Sequence, residues 1–221
     1  QVDVVKAVAT EAFRKSENSQ ELISFVRESF DLPITILSGG EEAGYVASGL
    51  LTDPSISRID DFHAIDIGGG SMEVIGVSDR KVTSLKSLPL GASVISNRFC
   101  PDQSSSWSEA TCLEAREYIA GLLDPIDSPV HFTPCSSLVG SGGTLVFLRA
   151  ILAHEAKMRT EEKKIIELSE SLDLFHRIAQ LSVLQRQESY PSLPSSRADI
   201  FPAGLLVLTE VMSYFKRPEI V

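Results

Sequence analysis

Two acidic residues flank three consecutive glycines in the segment His63–Val77, which reads HAIDIGGGSMEVIGV. Asp66 precedes the glycines, and Glu73 follows them. Glycines let a turn bring several backbone N–H groups against one anion, because no Cβ stands in the way. Carboxylates cannot bind a phosphate directly, but they hold a metal ion that does. The plain alternative is a tight hairpin whose glycines serve only geometry; we favour a phosphate site made of Gly68, Gly69, Gly70 and Ser71.

A second glycine-rich turn lies in the segment Leu138–Ile151, which reads LVGSGGTLVFLRAI. A strand that runs into such a turn at the start of a helix favours anion binding, since free N–H groups and the helix dipole both face the ligand. A plain strand-to-helix connection is the alternative. The turn matches neither a Walker A motif nor a complete G-x-G-x-x-G motif, which are the rival nucleotide signatures. The candidate phosphate-binding residues here are Gly140, Ser141, Gly142, Gly143 and Thr144.

Two adjacent acids, Glu41 and Glu42, stand at a predicted strand-to-helix corner. Acids at a helix start also favour the helix dipole, which is the plain alternative. Hydrolysis of a phosphoanhydride needs a carboxylate to orient or deprotonate water, and acids to hold Mg²⁺. Together with Asp66 and Glu73, these residues supply both roles.

Arg14 lies near the first predicted strand-to-helix corner. Arginine binds phosphate through two parallel hydrogen bonds, so Arg14 is a candidate phosphate contact. The alternative is a solvated charge on the surface of a helix.

The elements that must position these residues alternate as strand, helix, strand, helix up to Asp61, which predicts an α/β fold with parallel strands. A hairpin and then mainly helices follow. The predicted strands are Val2–Ala9, Leu32–Leu37, Ala64–Val77 with its hairpin partner Lys81–Leu88, and a strand from Leu138. The predicted helices are Thr10–Phe30 with a break around Ser16–Ser19, Glu41–Leu51, one from Ala92, one capped by Ser106 that ends near Leu123, Leu145–Ala153, Leu172–Leu184 and Arg197–Phe215.

The composition of the chain limits the classes of partner that it is expected to bind. The 221 residues carry a net charge of −10, so an anion site must be local, and no broad nucleic-acid interface is expected. No apolar run reaches the roughly 18 residues of a membrane helix, so no membrane association is expected. Three widely spaced cysteines favour a reducing compartment, which predicts a cytoplasmic location.

Six segments resemble those of the exopolyphosphatase / guanosine pentaphosphate phosphohydrolase family, and four of them lie in the same order with similar gaps. The family's Ala-Thr-x-Ala-x-Arg segment is similar to Ala9–Arg14, and its Ser-Gly-x-Glu-Glu-Ala corner to Ser38–Ala43. Its phosphate loop resembles Asp66–Glu73. The remaining similar segments are Ser87–Ala92, Gly140–Thr144 and Leu193–Asp199.

The resemblance implies an α/β, actin-like (ribonuclease H-like) fold of two lobes, with residues 1–61 as the second half of lobe one and 62–221 as lobe two. It implies a hydrolase that releases terminal phosphate from inorganic polyphosphate or guanosine pentaphosphate. The family's catalytic Glu corresponds to Glu42, and its functional loop residues correspond to Asp66, Gly68 and Glu73. We therefore expect Asp66 and Glu73 to be catalytic residues that hold Mg²⁺. Self-association as a homodimer is a further expectation.

The chain departs from the family pattern at two site positions and at its ends. Gly44 stands where the family usually has Arg, and Met72 where it usually has Thr. The family's first phosphate loop has no counterpart after Gln1, so the N-terminal lobe is expected to be incomplete and the chain to be part of a longer protein. Two rival functions stay open: a phosphotransferase or ATPase of the same superfamily, and a non-enzymatic sensor of polyphosphate or a nucleotide. The sequence does not choose between polyphosphate and the guanosine nucleotide.

Overall fold

The computed structural model describes residues 3–102, 106–124 and 137–221. Its largest sheet has four strands in the order β5-β4-β3-β6. Strands β3, β4 and β5 form an antiparallel meander, and β6 runs parallel to β3 on the other side. Two short pairs accompany this sheet: β1 with β2 in parallel, and β7 with β8 antiparallel. The strands are β1 Ala7–Ala9, β2 Ile34–Ile36, β3 Phe62–Ile67, β4 Met72–Ser78, β5 Lys81–Leu88, β6 Ser137–Ser141, β7 Ile166–Glu167 and β8 Glu219–Ile220.

Helices cover both faces of the four-stranded sheet. The α-helices within the described ranges are α1 Glu11–Lys15, α2 Ser19–Phe30, α3 Gly39–Thr52, α4 Ala92–Phe99, α5 Glu109–Leu123, α6 Gly143–Glu155, α7 Leu168–Ala179, α8 Val183–Ser189 and α9 Phe201–Tyr214. Helix α9 is apolar around nearly its whole circumference and lies in the centre of the larger core. A helix with this pattern is stable only when other elements surround it.

The central strand β3 is buried on both faces because different helices pack on each. Ala64 packs with Ala47 of α3, whereas Ile65 packs in the larger core with α9. Residues two apart in a strand point to the same face. Asp66 therefore continues the row that faces α3, and this helix is the element that sets its surroundings.

Most of the expected elements are confirmed. The first helical segment breaks where expected, between α1 and α2, and the β1–β2 pair is parallel. The hairpin of β3 and β4 and its extension to β5 are also confirmed. Within the described residues, β1 is shorter than the expected strand and covers only Ala7–Ala9.

Five predicted helix starts are wrong by two to four residues. Helix α3 begins at Gly39 rather than Glu41, after the capping residue Ser38, and α6 begins at Gly143 rather than Leu145. Ser108, not Ser106, caps α5, because its hydroxyl accepts a hydrogen bond from the Thr111 N–H at 3.1 Å. Helix α7 begins at Leu168 rather than Leu172, because Glu167 and Glu170 form a reciprocal cap ahead of the apolar run. Helix α9 begins at Phe201, four residues later than expected.

Two of the three cysteines lie within the described residues. Cys100 is buried and Cys112 is half-buried, and both are free thiols. Cys135 lies outside the described residues. Among the helices of the described ranges, none has the length and the hydropathy needed to cross a bilayer.

Candidate functional site

Four polar side chains form one row across the four-stranded sheet. Strand pairing places Ser141 of β6 beside Asp66 of β3, Asp66 opposite Glu73 of β4, and Glu73 opposite Ser87 of β5. The Ser141 hydroxyl donates to Asp66 Oδ1 at 2.8 Å, and the Ser87 hydroxyl donates to Glu73 Oε1 at 2.8 Å. Two carboxylates therefore face each other at the centre of the row, and each is held by a serine at its outer side.

Burial makes this pair of carboxylates electrostatically unfavourable. Glu73 is only 1% exposed. Burial raises the pKa of Glu73, hydrogen bonds from Ser71 and Ser87 partly offset that rise, and the negative charges of Glu42 and Asp66 add to it. Burial likewise raises the pKa of Asp66, against the hydrogen bond from Ser141. A cation near both carboxylates would relieve this cost.

Helix α3 brings Glu42 to the same place, because its first residue packs closely on the end of the sheet. A Cβ at Gly39 would lie 2.8 Å from the Ser87 Cβ, so only glycine permits this approach without a shift. Arg14 Nη1 then donates to Glu42 Oε2 at 2.9 Å and to the Leu37 carbonyl at 2.6 Å. Arg14 is thus bound to the candidate catalytic carboxylate, and its contact with phosphate stays a prediction.

The structure gives the two adjacent acids Glu41 and Glu42 different surroundings. Glu41 closes a capping box with Ser38: its carboxylate accepts from the Ser38 N–H at 2.8 Å, and its own N–H donates to the Ser38 hydroxyl at 3.2 Å. The hydrogen bonds that the Ser38 N–H and the Ser38 hydroxyl donate to the carboxylate lower the pKa of Glu41. Glu41 caps the helix, and Glu42 is the acid that lies beside the carboxylate pair.

The first glycine loop points two of its carbonyls to helix α4, and the Gly68 N–H donates to the Ser71 carbonyl within the loop at 3.0 Å. The carbonyls of Gly68 and Gly69 accept hydrogen bonds from the first N–H groups of α4, those of Ala92 at 2.9 Å and Ser93 at 2.8 Å. Gly91 makes this possible, because a Cβ there would overlap the loop backbone. Within the described residues, the N–H groups of Gly69, Gly70 and Ser71 donate to no protein acceptor. The side chain of Ser71 is used otherwise, in a hydrogen bond with Glu73.

The second loop reaches the first through Gly142, which has a positive φ of 89°. A Cβ there would lie 2.6 Å from both Asp66 Oδ1 and the Ile67 carbonyl oxygen, so the loop depends on glycine for conformation and for space. Gly142 is also the N-terminal cap of α6 and provides no side-chain cap, which leaves the first N–H groups of that helix available, including that of Gly143. The N–H of Gly140, in contrast, donates to the Val221 carbonyl at 2.8 Å.

The two hydroxyls of the second loop point to protein partners. Ser141 binds Asp66, as described, and the buried Thr144 packs its side chain against Gly204 of α9. Ser141 is thus occupied by Asp66, and we expect phosphate oxygens to contact the backbone N–H groups of both loops.

A small cavity of about 60 Å³ lies between the two loops. It is lined by Gly68, Gly69, Gly143, Thr144, Phe147 and Arg197, among others. The sequence assigned no role to Arg197, although the segment Leu193–Asp199 carried part of the family resemblance. A Cβ at Gly143 would lie 3.9 Å from the Arg197 Cζ, so this guanidinium adds positive charge beside the second loop.

Asp66 and Glu73 stay the candidate protein ligands of the expected magnesium ion. Among the side chains that the structure describes, no three acidic, histidine or cysteine groups converge to form a complete metal cage. Mg²⁺ does not require one, since it usually binds one or two carboxylates together with water and substrate phosphates. Asp66 accepts one serine hydroxyl, from Ser141, and Glu73 accepts two, from Ser71 and Ser87. A carboxylate has about four lone-pair sites, so each group keeps acceptor capacity for a cation.

Solved structures of related proteins share this fold. The crystal structure of the Aquifex aeolicus member of the Ppx/GppA protein family is 23% identical to the chain and superimposes with a TM-score of 0.80, over 97% of this chain and 68% of that one. An exopolyphosphatase from Cytophaga hutchinsonii is 21% identical and superimposes with a TM-score of 0.84, over 97% of this chain and 69% of that one. These likenesses confirm the expected α/β, actin-like fold.

The amino-acid sequence matches one known protein family over all 221 residues. Residues 1–221 match the sequence model of the Ppx/GppA phosphatase family. This is the family that the phosphate loop at Asp66–Glu73 and the acidic corner at Ser38–Ala43 resembled. The chain belongs to the Ppx/GppA phosphatase family.

Proposed function

We propose that the chain hydrolyses the terminal phosphoanhydride bond of inorganic polyphosphate or guanosine pentaphosphate and releases orthophosphate. The observation that carries this proposal is the facing pair Asp66 and Glu73 at the base of two glycine loops, with Glu42 beside it. Membership in a phosphatase family supports the same reaction class.

In the proposed reaction, Glu42 orients a water molecule and takes its proton as the water oxygen attacks the terminal phosphorus. The bond between that phosphorus and the bridging oxygen breaks, and the shortened phosphate chain leaves with the electron pair. Arg14 holds the Glu42 carboxylate through a hydrogen bond of 2.9 Å. A fixed carboxylate loses less entropy in the transition state than a mobile one.

The loops stabilise charge on the transferred phosphoryl group. N–H groups of Gly69, Gly70, Ser71 and Gly143 donate to its oxygens, and Arg197 adds positive charge nearby. When Mg²⁺ is bound by Asp66 and Glu73, it neutralises part of the phosphate charge. Without a cation, the two carboxylates would repel the substrate.

The test is release of orthophosphate from tripolyphosphate, long-chain polyphosphate and guanosine pentaphosphate, each with Mg²⁺ and with a chelator, and with no acceptor molecule present. The proposal predicts Mg²⁺-dependent release from at least one substrate. Binding without release would instead indicate the sensor function, and release only after an acceptor is added would indicate a phosphotransferase. The relative rates decide the preferred substrate. A cytoplasmic location, the division into lobes at residue 61 and a homodimer stay predictions.

A further inference from the structure

An acidic side chain from the N-terminal part of the chain lies against the first glycine loop. Glu11 is the first residue of α1, directly after β1 and Thr10. Its carboxylate touches Gly70 so closely that a Cβ on Gly70 would overlap it. The Glu11 side chain is only 15% exposed, and Lys15, one helical turn later, forms an ion pair with it.

This acid lies at a loop that offers hydrogen-bond donors. The carbonyls of Gly68 and Gly69 are bound to α4, which turns the other side of the peptide groups away from that helix. The N–H groups of Gly69, Gly70 and Ser71 find no protein acceptor in the described parts of the chain. Consecutive N–H groups of this kind form an anion-binding concavity. The Glu11 carboxylate lies against Gly70 without accepting a hydrogen bond from these N–H groups, so its negative charge is what an incoming phosphate meets there.

We propose that Glu11 competes with the terminal phosphate of the substrate for the first glycine loop and thereby weakens phosphate binding. This inference rests on the proposed function. A carboxylate and a phosphate both carry negative charge, and at a few ångströms they repel each other strongly in a half-buried site. The incoming phosphate therefore displaces Glu11 from Gly70, and Lys15 remains available to pair with the displaced carboxylate.

Glu11→Gln separates charge from size, because glutamine keeps the shape of the side chain and removes its negative charge. Glu11→Ala removes both and serves as the second variant. The matched control is Glu17→Gln, which removes the same charge from an exposed residue six positions later. Thermal melts of all four proteins establish that each is folded.

The measurement is the dissociation constant for inorganic phosphate and for tripolyphosphate, by titration calorimetry at 50 mM and at 500 mM salt. We expect Glu11→Gln to bind both ligands at least about fivefold more tightly than the unmodified chain at low salt. This gain should shrink at high salt, because the salt screens the charge of Glu11. Glu17→Gln should bind as the unmodified chain does.

The outcomes are distinguishable. Equal binding by Glu11→Gln and the unmodified chain, or weaker binding by both Glu11 variants, would overturn the competitor role and leave the proposed function intact. If neither the unmodified chain nor any variant binds phosphate with or without Mg²⁺, the phosphate site itself is wrong, and the proposed function fails with it.

Discussion

Asp66 and Glu73 lie directly opposite each other on adjacent antiparallel strands. Serine hydroxyls donate hydrogen bonds to both carboxylates, and the row from Ser141 to Ser87 contains no positively charged side chain. Like charges at directly opposite positions destabilise a strand pair. Burial adds to this cost and raises the pKa of both carboxyls. The facing carboxylates therefore lower the stability of the fold, and they bring two candidate oxygen ligands for a cation close together.

Neutralising either acid should stabilise the fold. Because the folded pKa of each is raised, the folded state binds more protons than the unfolded state, and stability falls as pH rises from the ordinary carboxyl range through the raised pKa. Asp66→Asn and Glu73→Gln should therefore melt about 2–4 °C higher than the unmodified chain at pH 7.5 in chelator, a gain of roughly 1 kcal/mol. A lower melting temperature for both variants between pH 5 and 8 would contradict the argument.

Magnesium should stabilise the unmodified chain through the same pair. A cation that binds only the folded state raises the melting temperature with its concentration. We expect a concentration-dependent rise with Mg²⁺ that is lost in Asp66→Asn and in Glu73→Gln. Glu41→Gln, which changes an exposed capping acid, should keep the rise. If the melting temperature rose equally with Mg²⁺ in all four proteins, neither Asp66 nor Glu73 would be a magnesium ligand.

Arg14→Lys distinguishes two roles of the arginine. Arg14 makes its hydrogen bonds to Glu42 and to the Leu37 carbonyl from the same atom, Nη1. Lysine keeps the positive charge, but its side chain is one atom shorter, so its ammonium does not reach the position of Nη1. If Arg14 positions Glu42, kcat should fall about tenfold with little change in KM. A tenfold rise in KM with kcat preserved would instead identify Arg14 as a phosphate contact. Arg27→Lys, on the exposed side of α2, is the matched control.

Two glycine-to-alanine changes should have opposite effects on stability. Gly142→Ala places a Cβ against Asp66 and Ile67 in a residue with φ of 89°, which should cost about 1–3 kcal/mol and displace Asp66. Gly121→Ala lies in α5, where a Cβ meets nothing within 4 Å, and should stabilise the chain by about 0.5–1 kcal/mol. Chemical denaturation measures both, and equal effects would refute the special role of Gly142.

Local sequence patterns predicted the elements that carry the site. The glycines and β-rich runs around Asp66 and Glu73 indicated the hairpin, and the turn after Leu138 indicated the loop ahead of α6. Both are decided by residues close together in the chain. The choice between Glu41 and Glu42 was open in the residues alone. The capping box that gives Glu41 a structural role could be recognised only with the helix start known within one residue.

The contacts between distant segments were not predictable in the same way. The row from Ser141 to Ser87 depends on strand register, which the sequence does not specify before the strand ends are known. The approach of Glu11 to Gly70 joins residues 59 positions apart, and the place of Arg197 beside Gly143 depends on how α9 packs. No pattern within a single segment carries such information.

The proposed reaction depends on Glu42 acting on the attacking water, and two neighbouring variants test this role. Phosphate release under single-turnover conditions with Mg²⁺ should fall at least about 100-fold in Glu42→Gln, with substrate affinity nearly unchanged. Glu41→Gln should keep a rate close to that of the unmodified chain, because Glu41 caps the helix. Near-normal turnover in Glu42→Gln, or an equal loss in both variants, would contradict the account.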